Sequence, residues 1–201
     1  MRSHVGRDEQ CLGKRGDIEY VRYRPHGLSS GDGDSRWDLY DACVEIGGTG
    51  EQGPAAHGAT RSDSGVPAYL RDAHAAAVKL GMVDVNVLKI NGEAVAFDYN
   101  YVCDGNLIGV GRGHVHEFSR DGVEDVLFLK MLRSSFQRQD RGLDVGPGSI
   151  GFKRCWSNHM ADSYRYVHYP ILAPRIQLLR LARWAQRNRS ILRARPLRTA
   201  G

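Results

Sequence analysis

The chain has 201 residues, 41% of them hydrophobic and 25% charged, with a formal net charge of +5. That is ordinary for a globular protein and suffices for one good domain or two small ones. No apolar run approaches the ~18 residues of a membrane span, and the first 20 residues lack the apolar core of a signal peptide, so a cytoplasmic protein is expected. The charge is uneven: residues 171–201 carry eight arginines and no acid or lysine, which leaves the first 170 residues at −3. A slightly acidic body argues against specific nucleic-acid binding. The basic tail reads as a solvated helix end, with weak contact to an anionic surface as the alternative. Cys11, Cys43, Cys103 and Cys155 show no CxxC spacing and read as buried or reduced thiols.

Residues 1–65 read as an irregular N-terminal segment. Within it, GDIEYVRYR (16–24) has strand character and PHGLSSGDGDS (25–35) is a loop. WDLYDACVEI (37–46) partly suits a helix, and GGTGEQGPAAHGATRSDSG (47–65) has almost nothing to bury.

A regular core is expected over 66–170. Pro67 and Gly81 bracket a helix whose apolar face would be Leu70, Ala73, Ala77 and Leu80. VDVNVLKI alternates Val83, Val85 and Val87. Asn91-Gly92 then turns the chain into EAVAFDYNYV, and Asp104-Gly105 turns it again into NLIGVGRG. Residues 83–113 therefore read as an antiparallel meander. The next helix has Asp121 as its expected cap and Glu124 three residues on, as in a capping box, with Val123, Val126, Leu127, Phe128 and Met131 facing a core that runs toward Phe136. LDVG is a short strand, KRCWSNH a short helix or turn, and DSYRYVHYPI another strand. The basic segment 171–201 opens with the helix PRIQLLRLARWAQRNRS, in which Leu178, Leu181, Ala182 and Ala185 would pack while Arg180, Arg183 and Arg187 face water. The order predicts an α+β fold: a mixed, mainly antiparallel sheet flanked by helices, with the strand after the central helix parallel to the last meander strand.

Three stretches carry a resemblance: VLKINGEAVAFDYNYVCDGNL, DGVEDVLFLKMLRSSFQRQ and LDVGPGSIGFKRCW. They are similar to the GNAT-fold acyltransferases, and more narrowly to the BioF-like, CelD-like branch related to the FemAB aminoacyltransferases. In relatives the last stretch is an Asp-Phe-Gly followed by Tyr-Lys-x-x-Trp; here Asp144, Gly146, Phe152, Lys153 and Trp156 stand in those places, and the likeness spans about residues 37–170. The resemblance implies transfer of an acyl group from a coenzyme A thioester to an amine, or, in the FemAB cousins, of an amino acid from tRNA. The acceptor would be a small-molecule amine or a cell-envelope or polysaccharide precursor. It implies a splay between two parallel strands that takes the thioester, and a helix N-terminus that cradles the pyrophosphate. A non-catalytic domain on the same fold is the alternative.

On this resemblance Asp144 and Lys153 are the expected catalytic residues, and Tyr99, Tyr101 and Trp156 the expected substrate wall. Ile108, Val110, Arg120, Gly122 and Val123 would meet the cofactor, with main-chain amides near residues 108–111 as oxyanion donors. The cradle reads SRDGVED where the family usually has Arg/Gln-x-x-Gly-x-Gly/Ala. Asp121, Glu124 and Asp125 would compete with an anion for the same amides, and Arg120 offsets part of that. Each residue also has a structural reading: Asp144 as a turn cap, Lys153 as a surface lysine, Trp156 as a core anchor. HVHE offers His116 or Glu117 as a general base, but no third and fourth ligand join His114 and His116, so no metal is expected. The linear order alone supports no Ser-His-Asp or Cys-His set.

Overall fold

A computed structural model describes residues 2–49, 66–146, 154–161, 176–181 and Trp184. The chain divides into two units, Met1–Asn158 and His159–Gly201. In the first, helix α1 (Arg2–Gly13) precedes strand β1 (Ile18–Tyr23), a 3-10 turn at Leu28–Ser30 and helix α2 (Trp37–Thr49). Helix α3 (Val66–Lys79), strands β2 (Val83–Ile90), β3 (Glu93–Cys103) and β4 (Asn106–His114), a 3-10 turn at His116–Asp121, helix α4 (Val123–Gln137) and strand β5 (Gly142–Asp144) follow. The five strands form one sheet in sequence order. The first four pair antiparallel, and β5 joins β4 in parallel.

The turns follow from their residues. Asn91 (φ 52°) and Gly92 (φ 85°) close the first hairpin, and Asp104 (φ 49°) and Gly105 (φ 74°) the second. Two successive positive φ angles give the turn whose twist matches the strands it joins. Gly81 (φ 68°) ends α3, whose buried stripe is His74 and Val78, while Leu80 is exposed. Leu80 lies past the last helical residue, where the chain is already reversing, so the periodicity that enlisted it no longer applies.

Both faces of the sheet are covered. On one, Leu39, Tyr40, Cys43 and Ile46 of α2 and Val78 of α3 bury Val83, Val85, Val87, Phe97 and Tyr99. On the other, Val5 and Leu12 of α1 and Val123, Val126 and Leu127 of α4 bury Leu88, Ile90, Val95 and Ala96. Residues 2–49 are thus part of the core. The boundary at 65/66 expected from the sequence coincides with no division in compactness, because α1 and β1 supply core side chains and an edge strand. Phe136 is 79% exposed, next to Ser135, the last buried residue of α4, and the apolar core face ends at Met131.

The alternation in β2 does not mark a wet face. Asp84, Asn86, Asp98 and Asn100 are all buried on the α1/α4 side of the sheet. Buried charges persist only when paired. Arg22 Nε donates to Asp84 Oδ2 (2.9 Å), and its Nη2 to Ser135 Oγ (3.0 Å). Arg24 Nε reaches the same Asp84 oxygen at 2.6 Å, and its Nη1 and Nη2 hold both oxygens of Asp140 at 2.7 and 2.9 Å. Tyr20 Oη donates to Asn86 Oδ1 (2.6 Å). The network ties β1 and β2 to the C-terminal end of α4. Burial acts to raise the Asp140 carboxyl, but the hydrogen bonds from Arg24 and Ser135 hold it below its ordinary range.

In the second unit, residues 176–181 are helical, and Leu178, Leu179 and Leu181 are exposed, as is Trp184. The expected packing of Leu178 and Leu181 is not found: periodicity defines an apolar stripe but not a partner for it. Ala182, Arg183, Ala185 and Arg187 lie outside the described side chains, as does the strand expected at 162–171. No helix among the described residues is long and apolar enough to cross a membrane.

Removing one partner of a buried pair strands the other charge, at a cost of about 3–5 kcal/mol. Arg22→Ala should therefore lower the unfolding free energy by about that amount in urea titration. Arg36→Ala, which breaks the exposed Arg36–Asp38 pair, should cost under ~1 kcal/mol. Equal losses would contradict the network's role.

Candidate functional site

Strand β4 pairs with β5 over only three positions, Asn106↔Gly142, Leu107↔Leu143 and Ile108↔Asp144. It then runs on to His114 with no further β5 pairing among the described residues. Two glycines shape this junction. A Cβ on Gly109 would lie 3.1 Å from the Asp144 carbonyl oxygen, and one on Gly146 (φ 69°) 3.0 Å from the Gly109 carbonyl oxygen. Main chain touches main chain here, from Asp144 to Gly146. On the β3 side the register slips: Tyr99 faces Gly111 and Asn100 faces Gly109, which leaves Val110 as a bulge without an opposite residue. Bulges re-aim the strand and break regular pairing where a sheet meets a ligand.

Register places Tyr101, Ile108 and Asp144 on one face of the sheet, the α2/α3 side, where Val110 also packs. Ile108 is 44% exposed and Asp144 is exposed, so this corner meets solvent. Tyr99 shares the face, but its hydroxyl is turned inward. The Ser35 carbonyl can only accept, so His74 Nε2 carries the proton (2.7 Å), and His74 Nδ1 accepts from Tyr99 Oη (2.7 Å). Burial pushes the Tyr99 hydroxyl well up and the His74 imidazole down, which agrees with a neutral pair. Tyr99 is thereby held inward, and the ring of Tyr101 stands edge-on to it at 5.8 Å.

On the opposite face, beside the bulge, Asp98 is buried and accepts from Arg112 Nη2 at 2.8 Å. Burial pushes the Asp98 carboxyl up to about 6 in spite of Arg112. The neighbouring Asn100 Oδ1 is buried and has no hydrogen-bond partner.

Past β4, the expected cap is displaced. The N-cap of α4 is Gly122 in the left-handed region (φ 68°), and no side chain caps the helix. Asp121 ends the preceding 3-10 turn and pairs with Arg15, in the turn after α1, at 3.0 Å. Glu124 reaches back to His114 rather than to the cap. A capping box needs an extended residue ahead of the helix, and the 3-10 turn removes it. Helix α1 also brings an acid to this end of α4: a Cβ on Gly122 would meet the Asp8 carboxylate at 2.6–2.7 Å. Asp8, Asp121, Glu124 and Asp125 crowd this end of α4 against Arg15 and Arg120. With acids outnumbering arginines, this helix N-terminus does not fit a diphosphate.

The other expected residues stand as follows. Asp144 Oδ1 accepts from the Gly146 amide (2.8 Å), so one of its oxygens fixes the turn. Trp156 Nε1 donates to Asp125 Oδ1 (3.0 Å) and its ring packs edge-on to Phe128 at 5.1 Å, which makes it an anchor for α4. Val123 is buried in the core and Arg120 is exposed. Phe152 and Lys153 lie outside the described residues. The sequence reading missed Asp98, Arg112 and His74, because only strand register and the helices that cover each face reveal their surroundings.

The carboxyl of Asp98 holds its proton more tightly in the folded chain than in the unfolded one. Its contribution to stability therefore falls as pH rises from about 4 to about 6, then levels off. Asp98→Asn should lack that decline: the difference in melting temperature between variant and wild type should shift in the variant's favour between pH 4 and 6. A constant difference would place the Asp98 titration elsewhere.

A family model for the acetyltransferase (GNAT) domain matches residues 2–154. No curated protein matches. Among solved structures, an aminoglycoside acetyltransferase from an uncultured soil metagenomic sample is similar with a TM-score of 0.51 at 9% identity, over 77% of this chain and 96% of that one. The aminoglycoside N-acetyltransferase AAC(6')-Iy in complex with CoA is similar at 12% identity, TM-score 0.42, over 78% and 96% of the two chains. A ribosomal-protein-alanine N-acetyltransferase from Brucella melitensis biovar Abortus 2308 is similar at 11% identity, TM-score 0.42, over 77% and 98%. The family match covers most of the chain, and the mixed sheet and its flanking helices have the fold of the metagenomic acetyltransferase: the chain belongs to the acetyltransferase (GNAT) domain family.

Proposed function

We propose that this protein transfers an acyl group from a thioester to an amine, at the corner where β4 parts from β5. The observation that carries the reading is the three-residue parallel pairing, closed at its base by the Gly109–Gly146 contact and followed at once by the Val110 bulge. An extended acyl tail would lie along β4 beyond Ile108, bonding to main chain as an added strand does. Main-chain amides of residues 108–111 would face the carbonyl oxygen as it gains charge. The amine nitrogen forms the new C–N bond, the C–S bond breaks, and the thiolate leaves. Asp144 Oδ1 is held by Gly146, and its second oxygen accepts the amine proton. Tyr101 and Ile108 border the acceptor. Lys153 would offset the charge of an incoming ligand. The narrower kinship to the BioF-like, CelD-like branch rests on the Asp144, Gly146, Lys153 and Trp156 pattern. The small-molecule or cell-envelope amine acceptor is part of the same proposal, as is any anionic-surface contact by the arginine tail.

The acidic end of α4, with Asp8 against Gly122, supports a donor whose recognition does not depend on a diphosphate. Acetyl-pantetheine should serve as well as acetyl-CoA to within about tenfold in kcat/KM, against a panel of small amines read by mass spectrometry. No turnover with either, or a preference above ~100-fold for acetyl-CoA, would contradict the reading. Asp144→Asn keeps an oxygen for the Gly146 amide but takes no proton. It should reduce kcat by ~10²-fold or more with little change in melting temperature; an unchanged kcat would remove Asp144 from the chemistry.

A further inference from the structure

We infer that Ser119, His114 and Glu124 form a nucleophilic relay able to take an acyl group from an ester or thioester whose leaving group is uncharged or cationic. The three residues come from three consecutive pieces of chain: the last residue of β4, the 3-10 turn and the first turn of α4. The left-handed Gly122 turns the chain back so that they meet. His114 Nδ1 lies 2.8 Å from Glu124 Oε1, and His114 Nε2 lies 2.9 Å from Ser119 Oγ. A carboxylate can only accept, so Nδ1 carries the proton, and this bond fixes the tautomer and the ring plane. A hydroxyl, an imidazole and an orienting carboxylate in that order are the parts a base-activated nucleophile needs.

The hydroxyl has one proton and two acceptors in reach. It donates to the His116 carbonyl at 2.6 Å, and rotation about its Cβ–Oγ bond brings the proton to His114 Nε2. Ser119 is exposed, while the side chains of His114 and Glu124 are 25% and 33% exposed. The nucleophile thus faces solvent, and the base and its partner sit behind it. Between His114 and Asp125 four acids stand against Arg120, and Arg15 pairs with Glu117 (3.2 Å) and Asp121 (3.0 Å); the remaining negative balance disfavours anionic leaving groups.

In the reaction, Nε2 takes the hydroxyl proton as Ser119 Oγ bonds to the acyl carbon. The bond to the leaving oxygen or sulfur then breaks, and the leaving group takes the proton from the imidazolium. Water repeats the sequence on the acyl-serine and releases the acid. No oxidant or reductant is needed. The inference does not depend on the amine acylation assigned to the β4–β5 junction.

The test uses the full chain with a biotinylated alkyl fluorophosphonate, which phosphonylates activated serines with loss of fluoride. One label per chain is expected, on the peptide that contains Ser119. Ser119→Ala should lose the label without a change in melting temperature. Glu124→Gln should slow labelling by ~10²-fold or more. No label on Ser119, labelling equal to that of a heat-denatured control, or an unchanged rate in Glu124→Gln would each overturn the relay and leave Ser119 as a tie within the 3-10 turn. For the leaving group, acetylthiocholine and p-nitrophenyl acetate should be hydrolysed at least ~10-fold faster than acetyl-CoA; the reverse order would overturn the charge argument.

Discussion

The parallel contact between β4 and β5 is the constraint on which the rest of the structure turns. A parallel strand beside an antiparallel meander would ordinarily zip along its neighbour and bury the edge. Here Gly109 and Gly146 bring the two main chains together, and regular pairing is limited to three positions among the described residues. An edge of this kind needs a rigid strand behind it. Strand β3 supplies the rigidity, since its central side chains are buried on both faces. The bulge at Val110 then adjusts how the edge presents itself.

Much of the stiffness is polar. A half-polar β2 and β3 under two helices would be unstable unless every charge found a partner. Arg22, Arg24 and Arg112 meet that need for Asp84, Asp140 and Asp98. Such pairs add little net stability over an apolar core, but they fix register, because a one-residue slip would leave charges buried without partners. Helix α1 seals the same side and brings Asp8 and Arg15 to the start of α4. The packing that completes the core therefore also gives this end of the helix its acidic character.

The sequence discloses much of this fold. Asn91-Gly92 and Asp104-Gly105 fix two hairpins by their own conformational preference, and the period of α4 names its buried face. Helix α1 was illegible: its sequence RSHVGRDEQCLG holds two glycines and few apolar residues, and its two core side chains, Val5 and Leu12, gain meaning only against α4. The alternation of β2 was legible but ambiguous, since valines at every second position do not reveal whether the intervening Asp84 and Asn86 are wet or covered. At the site, Asp144, Gly146 and the Tyr99–Tyr101 face could be named from motif and period. The Ser119–His114–Glu124 set could not, because its geometry depends on a 3-10 turn and a left-handed glycine that local propensity does not specify. The missed cap at Asp121 has the same origin.

The central claim is that the β4 edge beyond Ile108 receives an extended acyl donor. Hydrogen–deuterium exchange on the full chain, with and without saturating acetyl-pantetheine, tests it most directly. The account predicts slowed exchange confined to the amides of residues 109–113, where bound ligand would replace water. Unchanged exchange there, with protection arising in another part of the chain, would contradict it.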